Sequence, residues 1–263
     1  MQEQWIQNPD LPGDSFFWKG ETEIGILIIH GFTATTAEVR IISELFHKHG
    51  YTISGPLLPG HGTTPQEMNH CTWQNWAEAV EKAFQELRQR CKYVFVSGES
   101  MGGVLALYLA AAHPDITGVL LFAPAIKVPS IRLARFIYPF KPIIWKKPSR
   151  DGLPWKGYKV YPMKAASQFV KLQRVTSRLL PKIRQPILIF QGRLDTTIDP
   201  SCGDFILSRV QSSKKKLEWL EESPHCIILA QEVSLTAKKS IQFIDDIFSN
   251  HNRPPKMINR SES

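Results

Sequence analysis

The sequence predicts an α/β domain built on a mostly parallel sheet, and three observations carry that prediction. Short apolar runs with no polar alternation recur along the chain, as strands buried on both faces require. Between them lie longer stretches with apolar side chains at helical spacing, so strand and helix patterns alternate in order. The segment Val94-Phe95-Val96-Ser97-Gly98-Glu99-Ser100-Met101-Gly102-Gly103 reads as a buried strand turning sharply into a helix.

Residues 15–18 and 24–29 are strand-like, and residues 37–49 read as a helix with Val39, Ile42, Leu45 and Phe46 on one face. Residues 51–54 form a short strand leading into Pro56-Leu57-Leu58-Pro59-Gly60-His61-Gly62. Thr72 is a candidate cap for a helix over 73–90, where Trp76, Val80, Phe84 and Leu87 keep helical spacing. The strand through Val96, its following helix to 113 and a strand at 118–122 come next. After an interruption the pattern resumes with a strand at 186–190, a helix near 202–210, a strand at 216–220 and a last helix around 235–248. The expected organisation is a core of residues 1–123 and 186–250, a cap inserted at 124–185, and a polar, Pro-interrupted tail at 251–263.

Gly98-Glu99-Ser100-Met101-Gly102 has the G-x-S-x-G form of a nucleophile elbow, in the strand-turn-helix setting that form needs. The two glycines let backbone pass where side chains would collide, leaving the Ser100 hydroxyl exposed at a helix N-terminus. A serine hydroxyl is a weak nucleophile until a base takes its proton and a third group orients that base. In this setting the partners follow in the order Ser, Asp or Glu, His.

Two later segments fit. The strand at 186–190 runs into Gln191-Gly192-Arg193-Leu194-Asp195, and the strand at 216–220 into Glu221-Glu222-Ser223-Pro224-His225. Each puts a polar residue in the loop after a strand, where sheets of this kind build their sites. Asp195 is the expected orienting acid, with Asp199 its rival, and His225 the expected base. Among the eight histidines only His251, in the polar tail, also follows Asp195. Acyl chemistry further needs donors for the developing oxyanion. The loop after the strand at 24–29, His30-Gly31-Phe32-Thr33, and the residue after the nucleophile should supply them, through the backbone amides of Phe32 and Met101. His30 and His61 are expected to fix loops rather than to act as bases.

Apolar residues make up 43% of 263, enough for a sizeable core. The first residues lack the apolar run of a signal peptide, and the longest apolar stretch, 104–112, is too short to span a bilayer. Cys71, Cys91, Cys202 and Cys226 have neither metal-ligand spacing nor the pattern of a disulfide framework, so a reduced, cytoplasmic protein is expected. No phosphate-cradling loop, dinucleotide fingerprint or metal cluster is legible, and neither a cofactor nor a metal is expected.

Charge is concentrated. Between Lys127 and Arg184 fifteen Lys or Arg face the single acid Asp151, a net of +14 within a chain of +8, so the remainder carries −6. Ile131, Phe136, Ile137, Tyr138, Trp145 and Trp155 interleave with these charges. A solvated cap surface whose aromatics pack onto the core accounts for this. Contact with anionic lipid or anionic substrates is the alternative. Nucleic acid is not expected, since no binding motif accompanies the charge.

Together with the elbow, the Asp195 segment and Ser223-Pro224-His225, several motifs carry a family resemblance. They are His30-Gly31-Phe32-Thr33 with Ala37-Glu38-Val39-Arg40, then Leu57 and Pro59-Gly60-His61-Gly62, and then Trp73 and Trp76. Ala123-Pro124 and Tyr161-Pro162-Met163-Lys164 complete the set. The chain resembles the α/β-hydrolase superfamily and, within it, the bacterial carboxylesterase and monoacylglycerol lipase group, over nearly its whole length. The resemblance implies an α/β-hydrolase fold, a Ser100–Asp195–His225 triad, and cofactor-free cleavage of short- to medium-chain acyl esters or monoacylglycerols, with a small cap over an apolar acyl tunnel. The same triad would serve an acyltransferase or thioesterase, and a catalytically dead lipid-binding scaffold would have lost one of its members. From Lys127 to Tyr158 the chain is more basic and Pro-rich than that group, and it shows no acidic match for a glycerol-binding residue.

Overall fold

The computed structural model describes residues 4–147 and 152–249, so the expected tail lies outside the described residues. In chain order the elements begin with β1 (Ile6–Gln7), β2 (Phe16–Trp18), β3 (Ile24–Ile29), α1 (Ala37–Lys48), β4 (Thr52–Gly55), α2 (Pro65–His70) and α3 (Trp73–Arg88). Next come β5 (Tyr93–Glu99), α4 (Met101–Ala112) and β6 (Gly118–Phe122). The inserted segment holds α5 (Ala134–Ile137), β7 (Ile143–Trp145), β8 (Gly157–Tyr158), β9 (Val160–Pro162) and α6 (Met163–Leu179). The chain then returns through β10 (Ile187–Gly192), α7 (Cys202–Leu207), β11 (Lys215–Leu220) and α8 (Val233–Ser249).

Seven strands form the central sheet in the order β11-β10-β6-β5-β3-β4-β2, parallel throughout except for β2, which runs antiparallel to β4 at one edge. Every residue of β3, β6 and β10 is buried, which is why these strands read as unbroken apolar runs. One face of the sheet is covered by α3, α4 and α7, with α6 packed on α3 and α4, and the other by α1 and α8, whose Val39, Ile42, Phe46, Phe243 and Ile244 fill the second core layer. Helix α4 is apolar all round because it is sandwiched between the sheet and other helices. Helix α3 starts with a capping box in which the Thr72 and Asn75 side chains each receive the other's backbone amide.

Three helices are absent from the sequence reading, among them α5, whose four residues are too few for any period. Helix α2 has only six residues, too few for a period, although Thr64 caps it by accepting the Glu67 amide and Pro65 opens it. Helix α6 has seventeen residues, but its buried face includes Ala165, Ala166, Ser167, Gln168, Gln173 and Thr176. A stripe of small and polar side chains gives little hydrophobic signal. Helix α7 ends at Leu207, short of the expected 210.

The site is mounted at the C-terminal ends of β3, β5, β10 and β11. Where β5 meets α4, Ser100 is held at φ 54°, ψ −112°, a region that costs a non-glycine residue about 1–3 kcal/mol. Its amide donates to the Phe122 carbonyl at 2.9 Å and its carbonyl accepts the Ala125 amide at 3.0 Å, fixing the strained turn from both sides. A Cβ at Gly98 would stand 2.3 Å from the Gly102 carbonyl carbon, and one at Gly102 would stand 2.0 Å from the Ile29 carbonyl oxygen. Neither position accepts a side chain.

Candidate active site

The structure brings Ser100, His225 and Asp195 into one hydrogen-bonded line. His225 Nε2 lies 2.9 Å from Ser100 Oγ, and His225 Nδ1 lies 2.7 Å from Asp195 Oδ2. The other Asp195 oxygen accepts the amides of Thr197 at 2.7 Å and Ile198 at 3.2 Å, so the carboxylate is fixed by its own loop. Burial opposes charge on Asp195, but the hydrogen bond and charge of His225 and the two amides prevail. Its carboxyl is held below the usual range and is ionised at neutral pH. With Asp195 ionised, Nδ1 carries the proton and Nε2 faces the serine as acceptor. The rival Asp199 spends its carboxylate on the Ser201 amide at 2.9 Å.

The loop bearing His225 is anchored beyond its own residues. Glu232 accepts the Ser223 hydroxyl at 2.6 Å and the Glu222 amide at 3.0 Å. Ser223 also packs directly against the end of β10, where a Cβ at Gly192 would stand 2.1 Å from the Ser223 carbonyl oxygen.

On the other side, β3 runs into the turn at residues 30–33. A Cβ at Gly31 would stand 3.3 Å from Ser100 Cβ, so this turn passes beside the nucleophile. Met101 occupies the first position of α4, where an amide has no acceptor within its own helix. The expected donors, Phe32 and Met101, thus belong to two backbone segments adjoining Ser100. His30 is buried at the base of the turn. Its Nε2 accepts the Leu58 amide at 3.1 Å and its Nδ1 donates to the Gly31 carbonyl at 2.9 Å, while burial holds its pKa down at about 4. It is a neutral tie between two loops. His61 lies edge-on to it at 4.8 Å and is also held neutral, first by burial and then by the His30 field.

Three ionisable residues to which the sequence reading gives no role surround this frame. Glu38, from the first turn of α1, is buried and accepts the Gly31 amide at 2.6 Å, with the Cys226 thiol 3.9 Å from its other oxygen. Desolvation raises its pKa, against the Gly31 amide and the field of His225. Glu99 is fully buried and neither oxygen makes a hydrogen bond among the described residues. Burial first, then Glu38 and Asp195, push its pKa well above the ordinary value, despite the nearby Ile227 and Ile228 amides. Lys146, at the end of β7, donates to Thr33 Oγ1 at 2.5 Å and sits over the rings of Trp155 and Tyr161. Desolvation lowers its pKa to about 8. Such residues carry no sequence signal, because Glu and Lys are exposed by default and only tertiary packing buries them.

The inserted segment also grips the turn through its backbone. The Tyr158 amide donates to the Thr33 carbonyl at 2.8 Å, Thr35 Oγ1 donates to the Lys156 carbonyl at 3.1 Å, and Ala34 bridges to Gly157. Thr33 itself is held at φ 66°. On its far side β8 pairs with β1, Ile6 facing Tyr158 and Gln7 facing Gly157. The interleaved aromatics divide. Ile131 is buried, Ile137, Tyr138 and Trp155 are partly covered, and Phe136 and Trp145 are exposed along with Leu133 and Phe140. Among the described residues no helix is long and apolar enough to cross a membrane, and the four cysteines form no disulfide.

Residues 20–149 match the family described as "Serine aminopeptidase, S33". Over 92% of its length the chain is 33% identical to the thermostable monoacylglycerol lipase of Bacillus sp. (strain H-257), covering 98% of that protein. It is 26% identical to a carboxylesterase of Bacillus subtilis (strain 168), over 88% of this chain and 96% of that one. A solved structure from work on LipS and LipT, two metagenome-derived lipolytic enzymes, superposes with a TM-score of 0.85 at 32% identity, over 90% of this chain and 99% of that one. With a parallel sheet, an elbow strained at Ser100 and near end-to-end likeness to such proteins, the chain belongs to the α/β-hydrolase superfamily and, within it, to the lipase and esterase group.

Proposed function

We propose that Ser100, His225 and Asp195 hydrolyse carboxylic esters through an acyl-enzyme, with short- to medium-chain acyl esters or monoacylglycerols as substrates. The observation that supports this most is the imidazole of His225 bridging the serine and the aspartate at 2.9 and 2.7 Å. His225 Nε2 takes the Ser100 proton as Oγ attacks the ester carbonyl. The amides of Phe32 and Met101 receive the oxyanion, each such donor being worth about 2.7–4 kcal/mol of barrier. Collapse of the tetrahedral intermediate breaks the ester C–O bond, and the alcohol leaves with the proton held on Nε2. Water then attacks the acyl-enzyme by the same sequence, releasing the acid and restoring Ser100. Asp195 keeps the imidazole in the useful tautomer and stabilises the imidazolium. The test is hydrolysis of p-nitrophenyl acetate and octanoate by wild type and Ser100→Ala. Full turnover by the variant removes Ser100 from the mechanism.

Acyl transfer or thioester cleavage would use the same three residues. Products formed with added alcohol, and a panel of acyl-CoA thioesters, separate those reactions from ester hydrolysis.

We take residues 124–185 as a cap over a core of 1–123 and 186–250, and the cytoplasm as the compartment, a reading supported by four cysteines that form no disulfide. We further propose that the cap touches anionic lipid surfaces. Exposed Leu133, Phe136, Phe140 and Trp145 stand among exposed Arg132, Arg135, Lys141 and Lys147, the mixture of apolar and cationic side chains that interfacial segments carry. Co-sedimentation with vesicles containing phosphatidylserine should be strong at low salt and weak at high salt. Absence of binding at low salt rejects the contact.

A further inference from the structure

The turn that runs past Ser100 has two flanks with separate partners. The Phe32 ring packs against Phe169, Trp76 and His61 at centroid distances of 5.5, 6.1 and 6.4 Å, an apolar flank suited to an acyl chain. The Thr33 side faces Lys146, whose ammonium donates to Thr33 Oγ1 at 2.5 Å and lies 4.9 and 5.1 Å from the ring centroids of Trp155 and Tyr161. This cation is half-buried, whereas most of the cap's lysines and arginines are exposed. Its partners among the described residues are one hydroxyl and two ring faces, with no carboxylate in ion-pair contact. The charges nearest in field are Glu38 and the thiol of Cys226, the residue directly after the base. Through Thr33 the Lys146 ammonium is tied to the turn that runs past Ser100, and His225 is the group that hands its proton to the leaving alcohol. A half-buried ammonium with no anionic partner among the described residues is an incomplete arrangement. A substrate anion completes it, and the surrounding +14 segment favours a dianion over a monoanion.

Resting on the ester-hydrolase reading above, we propose that Lys146 reads an anionic group on the alcohol side of the substrate, and that the preferred esters are acylglycerols bearing a phosphate monoester. The ammonium acts as a point charge on the phosphate oxygens, with Thr33 Oγ1 holding it in place. The acyl chain lies along the Phe32 flank, and the glycerol phosphate departs as the alcohol.

The test uses 1-hexanoylglycerol and 1-hexanoylglycerol 3-phosphate, both short enough to be assayed as monomers, so that surface binding by the cap does not enter. Wild type is expected to favour the phosphate by at least tenfold in kcat/KM. Lys146→Met should lower that ratio at least tenfold, while Lys147→Met, which removes a neighbouring exposed charge, should keep it. A wild-type ratio of one or less overturns the proposal, as does an unchanged ratio in Lys146→Met or an equal fall in both variants. Calorimetric binding of the same two compounds to Ser100→Ala reads recognition without turnover. Tighter binding of the phosphate that disappears in the Ser100→Ala, Lys146→Met double variant supports the proposal, and equal binding rejects it. Failure of wild type to hydrolyse either compound or any p-nitrophenyl ester counts against the ester-hydrolase reading, and the binding arm still decides the role of Lys146.

Discussion

Glu38 and Ser100 converge on a single glycine, Gly31. A Cβ at Gly31 would lie 3.0 Å from Glu38 Oε2 and 3.3 Å from Ser100 Cβ, so the carboxylate that accepts the Gly31 amide backs the turn that passes the nucleophile. Helix α1 thereby sets where that turn runs.

Glu38→Ala should cost both stability and rate. The Gly31 amide would be left buried without an acceptor, a loss of about 1–3 kcal/mol. Urea denaturation should show a lower midpoint, and kcat for p-nitrophenyl butyrate should fall, while Glu38→Gln, which keeps an acceptor oxygen, should recover most of the stability. An Ala variant as stable and active as wild type would show that the contact positions nothing.

Asp195→Asn should leave the fold intact and lower kcat by about 10⁴-fold, because an amide at this position no longer selects the tautomer that leaves Nε2 free to accept. KM for p-nitrophenyl butyrate should change far less. A fall of less than tenfold would make Asp195 dispensable to the chemistry.

Glu99→Gln tests a buried acid whose folded-state pKa is raised by desolvation and by Glu38 and Asp195. Such a group favours folding while protonated in both states, and that contribution is lost as pH rises through the folded-state value. Glutamine does not titrate. The Tm of the variant minus that of wild type should therefore grow as pH increases from 5 to 9. A constant difference would mean that Glu99 does not titrate differently in the folded protein.

Gly102→Ala should fail to fold or lose activity outright, since the added methyl would meet the Ile29 carbonyl oxygen at 2.0 Å, inside the sheet-helix junction. Circular dichroism and ester hydrolysis measure the two outcomes. A soluble, fully active variant would show that the elbow is looser than its geometry.

The parallel sheet is legible in the sequence because β3, β5, β6 and β10 are buried on both faces and so appear as plain apolar runs. The order of Ser100, Asp195 and His225 is legible for a related reason, since each follows such a run. Their convergence in space is a property of the strand order, which no local pattern encodes. The frame around them is hidden. Glu38, Glu99 and Lys146 are residue types that ordinarily face water, and α6 buries alanines, glutamines and a threonine where a hydrophobic stripe would have announced it. The exposed Phe136 and Trp145 are equally beyond a sequence reading, because aromatic content does not say which rings are covered.

Strand β8 has a consequence for handling the protein. Its two residues meet Ile6 and Gln7 along one edge and Ala34 along the other, so the first stretch of chain is stitched, through the insertion, to the backbone next to Phe32. Trimming or fusing the protein near residue 6 would loosen a seam that ends beside the reacting carbonyl. An affinity handle placed at the opposite terminus spares that seam.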